Sequence, residues 1–213
     1  MYALYESHSN HYKLACKKFC SNCCTDRILM TSLEGSLIAA HIQQYNLHEL
    51  LNQVKNIPPD KRYHPKTTIN QESYLAYNDS PIPEPEEIQA HTCPFLTNDQ
   101  CAIYPARPMS CRTMISSVPC QNMGYASMSS VQMSTATLFY QFIEMLDDGG
   151  YYGNFLNILE MLMLPADTQS LQLVLTKTPL LKNQRIHYVM IPPEHREALI
   201  PIMNSIQQIF HNK

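Results

Sequence analysis

The spacing of hydrophobic positions along the chain predicts a mainly α-helical protein. From Thr31 to about Val54, apolar residues recur three and four apart on two faces, as in a helix that is covered on both sides. Thr31 and Glu34 have the spacing of a capping box, in which a hydroxyl and a carboxylate satisfy free N–H groups of the first turn. We therefore expect a helix to begin at Thr31 and to end before the prolines that follow Val54.

Further helices are predicted on both sides of this one. Residues 9 to 20 favour a short helix, and another is expected at about Asn70 to Asn78. The last third of the chain carries three more helical patterns: Leu138 to Leu146 before a Gly-Gly breaker, Phe155 to Leu164, and a stripe from Pro193 to the C-terminus, expected to bend near Pro201. These C-terminal helices are typical of packing elements.

The middle of the chain interrupts the helical pattern. Residues 58 to 92 contain six prolines, which break any long regular element and make this segment an extended loop or insert. After it, residues 93 to 104 alternate an apolar piece, a polar turn at Asn98-Asp99 and a second apolar piece. A short hairpin-like knuckle is expected there, with Cys93 and Cys101 close together.

Eight cysteines in two groups are the candidate functional residues. The first group lies within nine residues and the second follows after the proline-rich insert: Cys16, Cys20, Cys23 and Cys24, then Cys93, Cys101, Cys111 and Cys120. Cys16 and Cys20 would share one face of the predicted N-terminal helix. The adjacent Cys23 and Cys24 point to opposite sides of an extended backbone, so these two are candidates for different metals.

Composition narrows the class of protein. Hydrophobic residues make up 45% of the chain and charged residues 15%, which is typical of a folded globular protein. The net charge of -3 gives no basic surface for nucleic acid or for a polybasic membrane anchor. The N-terminus lacks the pattern of a signal peptide and no apolar run reaches transmembrane length, so a cytoplasmic location is expected.

A reducing compartment favours metal binding over disulfides for clustered cysteines. Thiolates suit zinc or the iron of an iron–sulfur cluster better than calcium or magnesium. Eight thiolates can form two four-ligand sites, one shared binuclear site, or one site with spare redox thiols. The metal is therefore expected to be zinc or an iron–sulfur cluster, and the spacing leaves these arrangements open.

Other residue types add less to this picture. Arg112, next to Cys111, is expected to donate hydrogen bonds to sulfur, whereas Lys17 and Lys18 are expected on the solvated surface. Five histidines near the cysteines could complete a coordination sphere, although each is more often a surface residue: His8, His11, His41, His48 and His91. No glycine-rich phosphate loop is present.

The cysteine blocks resemble those of the YkgJ-type cysteine-cluster family, whose domains are described as zinc- or iron-chelating. The family's CxxxCxxCC stands here as Cys16 to Cys24, and its CPFL followed by C-x-I-Y-x-x-R-P-x-x-C-R stands as Cys93 to Arg112. The resemblance covers about residues 14 to 120 and implies a metal-chelating domain. Some larger proteins with a similar cluster are flagellin lysine N-methylases, which implies iron–sulfur-dependent modification of a protein substrate.

These observations predict an irregular cysteine-rich metal-binding core with a hairpin-like knuckle, packed by surrounding helices. We expect a cysteine-cluster region at residues 1–125, with the proline-rich insert at 58–92, and a helical region at 126–213 packed on it as one domain. The expected function is chelation of zinc or an iron–sulfur cluster. The alternatives are an iron–sulfur-dependent protein-modifying enzyme and a metal-stabilised protein-interaction module.

Overall fold

Helices account for about 48% of the residues that the computed structural model describes, so the predicted mainly α class is confirmed. The described residues are 1–17, 19–123, 125–163 and 178–211. The α-helices are α1 Tyr2–Ser9, α2 Ser32–Gln44, α3 Glu49–Val54, α4 Ile69–Tyr77, α5 Met109–Thr113, α6 Cys120–Met123, α7 Ser130–Leu146, α8 Phe155–Leu162 and α9 Arg196–His211. Single 3-10 turns occur at Pro59–Lys61, Tyr104–Ala106 and Pro193–His195.

The described residues contain two small antiparallel sheets, the first of which connects distant parts of the chain. The first has the strand order β1-β4-β5, with β1 at Leu29–Thr31, β4 at Tyr151–Asn154 and β5 at Leu181–Lys182. The second is a two-stranded hairpin of β2, Leu96–Thr97, and β3, Gln100–Cys101. The first sheet was not predicted, because strands this short leave no periodic signal in the sequence.

The start of α2 follows the predicted capping box. The Thr31 hydroxyl accepts the N–H of Glu34 at 3.3 Å, and the Glu34 carboxylate accepts the N–H of Thr31 at 3.0 Å. The prediction of one continuous helix to Val54 is wrong, because α2 ends at Gln44 and α3 begins at Glu49. Between them Asn46 takes a φ of 53°, a left-handed conformation that stops the helix.

The predicted helix at residues 9 to 20 is also wrong. Helix α1 ends at Ser9, and the chain then runs through turns to the first cysteine group. The N–H of Ala15 donates to the carbonyl of Ser116 at 2.8 Å. This hydrogen bond joins the segment to the later cysteine block and is not a helical one. Cys16 and Cys20 therefore do not share a helix face.

The helices α4, α7 and α8 lie where the apolar pattern predicted them. The 3-10 turn at Pro193–His195 leads into α9, and Pro201 lies inside that helix. Leu164, the predicted end of α8, falls outside the described residues. Among the described helices, none is long and apolar enough to cross a membrane.

Two buried clusters form the core. One contains residues of α2, α3, α8 and the hairpin segment, including Ile38, Phe95 and Ile158. The other joins α1, α7 and α9 through Tyr5, Phe139 and other apolar side chains. Part of the cysteine region packs against the first cluster, which fixes the hairpin and α5 relative to α2 and α8.

Candidate metal centre

The two cysteine blocks, separated by the insert in sequence, lie side by side. The N–H of Cys93 donates to the carbonyl of Cys24 at 3.0 Å, and Thr25 forms a β-bridge with Thr92. Next to this bridge, the buried Asp26 carboxylate accepts the N–H of His91 at 2.7 Å and pairs with its ring nitrogen at 3.0 Å. Of the histidines expected near the site, His91 thus ties the two blocks together.

Four thiols lie on the core side of this junction, and we call them the inner thiols. Cys93, Cys101 and Cys111 are half-buried and pack against the first core cluster. Burial raises the pKa of Cys111, and the thiols of Cys93 and Cys101 raise it further. The same three thiols act to raise the pKa of Cys24, so these four side chains are near neighbours: Cys24, Cys93, Cys101 and Cys111.

Backbone N–H groups point at two of the inner thiols. Burial raises the pKa of Cys93 to about 11, and the N–H of Phe95 opposes this shift by donating to the sulfur. Burial likewise raises the pKa of Cys101, against which the N–H of Ile103 donates. Each donor lies two residues after its cysteine, and N–H donors to sulfur stabilise a thiolate and a metal–thiolate bond.

The remaining thiols are Cys16, Cys20, Cys23 and Cys120, and we call them the outer thiols. Cys16 is exposed, whereas the other three are half-buried. Burial raises the pKa of Cys16, the N–H of Ser116 lowers it, and nearby thiols raise it further: Cys20, Cys23 and Cys120. The Ser116 N–H lies 3.3 Å from the Cys16 sulfur. A surface depression of about 270 Å³, which we call the outer recess, is lined by Cys16, Cys20 and Cys120 among other residues.

Cys23 and Cys24 form the boundary between the two groups. A hydrogen bond between their side chains raises the pKa of Cys23 and lowers that of Cys24, with burial acting to raise both. Cys23 neighbours Cys16, and it also acts weakly on Cys111 across the boundary. The outer and inner groups are therefore distinct but adjacent.

The cation expected at the thiols is placed differently from the prediction. The guanidinium of Arg112 donates to the carbonyls of Arg107 at 2.8 Å and Pro105 at 2.6 Å, and it pairs with Glu6. These contacts direct it to the backbone of its own loop. Arg107 is stacked 3.7 Å above the Tyr104 ring. Burial raises the pKa of Cys101 and of Cys111, and the positive charge of Arg107 opposes both shifts.

The donor set fits a thiophilic metal, although the side chains are not yet arranged around one. All eight cysteines have free thiols. Within the described part of the chain, no three metal-binding side chains converge into a ready-made cage. Thiols grouped around N–H donors and a guanidinium suit zinc or iron. Binding would require rotation of thiols such as those of Cys23 and Cys24 away from each other.

A cavity of about 480 Å³, whose described lining includes no cysteine, was missed from the sequence. The proline-rich insert forms one wall with Tyr63 and Ile82, and Tyr140 and Tyr152 form part of the opposite side. Ser110, the chain neighbour of Cys111, also lines it, and its hydroxyl donates to the Leu29 carbonyl at 2.7 Å. Nothing in the spacing of the insert signalled a cavity, because its walls come from distant segments.

Fold and donor chemistry together define a mainly helical, thiol-rich domain of the metal-binding class. A family model described as "Putative zinc- or iron-chelating domain" and named CxxCxxCC matches residues 15–132. This match spans more than half of the chain, and the chain belongs to that family. Zinc and iron, the two metals in that description, are those predicted from thiolate chemistry. Neither a curated protein nor a solved structure matched the chain.

Proposed function

We propose that the protein binds zinc or iron–sulfur clusters through its eight cysteines, arranged as two four-thiol centres. The inner thiols would hold one centre and the outer thiols the other. The observation that carries this proposal is the grouping of the thiols, with backbone N–H donors at Cys16, Cys93 and Cys101. The proposed location is the reducing cytoplasm, where such thiols stay available for metal.

We place the division between the centres at Cys23 and Cys24. Their side chains share a hydrogen bond, yet Cys24 interacts with the later block while Cys23 interacts with Cys16. Each centre then takes ligands from both blocks. On this proposal residues 1–125 form the metal-binding region, and residues 126–213 support it through β4 and α8.

Charge supports the inner centre in particular. A zinc ion bound by four thiolates carries two excess negative charges, which are unfavourable where solvent is excluded. The guanidinium of Arg107 acts on the thiols of Cys101 and Cys111, so it would offset part of that charge. A cation placed in this way also favours the thiolate form that metal binding requires.

Single serine variants test the division into two centres. Protein purified without oxygen would be analysed for zinc, iron and sulfide, and its visible spectrum would separate a brown cluster from colourless zinc. Cys120→Ser should lose the metal of the outer centre, and Cys101→Ser should lose the metal of the inner centre. Complete loss in both variants would support one shared centre instead. A metal-free, fully folded wild type would refute metal binding itself.

A second candidate is an iron–sulfur-dependent enzyme, and the cavity beside Ser110 is the observation that favours it. Its volume is within the roughly 300–1,000 Å³ of small-molecule sites, and it adjoins the chain at Cys111. Calorimetry with S-adenosylmethionine on iron-reconstituted protein tests this. Binding that Ile82→Trp abolishes by filling the cavity mouth would support an enzyme, and absence of binding would count against it.

A further inference from the structure

The two groups of thiols differ in how solvent reaches them. Cys16 is exposed, and with Cys20 and Cys120 it lines the outer recess. The inner thiols Cys93, Cys101 and Cys111 instead contact a core cluster that contains the fully buried Phe95. A ligand from solution therefore has a direct approach to Cys16, whereas the inner thiols Cys93, Cys101 and Cys111 lie against packed side chains.

The backbone that carries the inner thiols is fixed to the core. The N–H of Ala102 donates to the carbonyl of Phe95 at 2.8 Å, which closes the hairpin around Cys101. Helix α5, which carries Cys111, is held because the N–H of Met109 donates to the buried Glu34 carboxylate at 2.8 Å. Opening the inner centre would thus require breaking buried hydrogen bonds.

In the described part of the chain, the outer thiols belong to neither core cluster, and a contact beside them is open to solvent. In the turn after Lys17, the N–H of Cys20 donates to the Lys17 carbonyl at 3.1 Å. Ser21 donates to the Asp99 carboxylate at 2.6 Å, in a contact open to solvent. Cys120 begins the short helix α6 and also lines the outer recess. Local opening of this region leaves both core clusters intact.

We infer that the outer thiols form an exchangeable metal site, while the inner thiols hold their metal as part of the fold. This inference rests on the proposed function. The recess would admit a small thiolate or chelating ligand to the bound metal. Cys16, the exposed thiol, would be the ligand that an incoming thiolate or chelator replaces, and the released Cys16 thiolate would take a proton from solvent. No electrons are transferred.

The zinc-loaded protein, mixed with the chromogenic chelator 4-(2-pyridylazo)resorcinol, tests this difference. One equivalent of zinc should leave about tenfold or more faster than the second, because opening the inner region breaks buried hydrogen bonds and core packing. Cys120→Ser should bind a single zinc that leaves slowly, with unchanged far-UV circular dichroism. Release of both equivalents at one rate would overturn the inference.

A second variant tests access without touching a ligand. Val118 lines the outer recess and is 37% exposed. Val118→Trp should fill part of the recess and slow the fast phase while two zinc ions still bind. Ile200→Trp, on the exposed face of α9, is the matched control and should leave both phases unchanged. An unaltered fast phase in Val118→Trp would overturn access through the recess.

Failure of the inference and failure of the proposed function give different results. Two zinc ions that depend on the cysteines but leave together would refute only the exchangeable site. Zinc content that neither Cys120→Ser nor Cys101→Ser reduces would refute the proposed ligands, and the inference with them.

Discussion

At the scale of single residues, buried charge ties the proline-rich insert to α8. Arg62 is fully buried, and its guanidinium donates to the carbonyls of Ile57 at 2.7 Å and Val54 at 2.9 Å. The same group makes two parallel hydrogen bonds to the Glu160 carboxylate, at 2.7 and 2.8 Å. Fork-shaped pairing of this kind is specific to arginine.

Replacing Arg62 should therefore be strongly destabilising. Arg62→Met fills similar space but leaves two buried carbonyls without donors, and we expect a loss of about 3 kcal/mol in the free energy of unfolding. This value is at the low end for buried pairs because Glu160 is partly exposed and can be hydrated. Urea unfolding measures this loss, with Arg185→Met at an exposed position as the control. An unfolding midpoint of Arg62→Met equal to that of the wild type would contradict the role of Arg62.

The thiols set the pH dependence of metal binding. Burial raises the pKa of Cys93 to about 11, and burial also raises those of Cys101 and Cys111. Metal must displace protons from these thiols, so affinity falls as pH falls. An unperturbed thiol would add nothing to the pH dependence of metal affinity above its pKa of about 8.5. The inner thiols with raised pKa values still lose protons above that pH.

The apparent zinc affinity of the inner centre should consequently still rise between about pH 8.5 and 9.5, a window above the pKa of an ordinary thiol. Cys120→Ser isolates the inner centre for this measurement, which uses competition with a chelator of known affinity. A plateau beginning near pH 8.5 would mean that burial does not raise the thiol pKa values as the structure indicates.

At the scale of elements, α2 packs tightly against α8 at Gly35. A Cβ at this position would lie 2.5 Å from Ile158 Cγ2 and 2.8 Å from Leu162 Cδ1. Both distances are shorter than carbon–carbon contacts permit, so the side chains of Ile158 and Leu162 would have to shift.

Gly35→Ala should destabilise the protein despite the better helix propensity of alanine. The propensity gain is about 1 kcal/mol, and overpacking costs about 1–3 kcal/mol, so a net loss of about 1 kcal/mol is expected. Thermal unfolding would show it as a lower Tm, whereas Ser36→Ala, on the exposed side of α2, should not lower the Tm. A rise in Tm for Gly35→Ala would show that α8 can move away.

Sequence patterns identified elements where the signal is local. The capping box at Thr31 and the stripe of α7 involve residues within a few turns of each other, and both were predicted correctly. The break between α2 and α3 depends on one left-handed residue, Asn46, inside a continuous apolar pattern. Strand β1 pairs with β4 more than a hundred residues away, which no short-range pattern encodes.

At the scale of the whole molecule, parts of the cysteine region meet α8 in the first core cluster. Strand β4 pairs with β1, and α8 packs on α2 in the cluster that also contacts the inner thiols. Spacing alone identified the eight candidate ligands. Their separation into inner and outer groups, and the position of Arg107 in place of Arg112, depend on how the folded blocks meet and could not be read from spacing.

Native mass spectrometry of protein purified without oxygen tests the central claim most directly, because it counts metal per intact chain. Two four-thiol centres predict two zinc ions, or two iron–sulfur clusters, on each wild-type chain, and a single centre in Cys120→Ser. One centre on the wild-type chain, or a folded chain that carries none, would contradict the account.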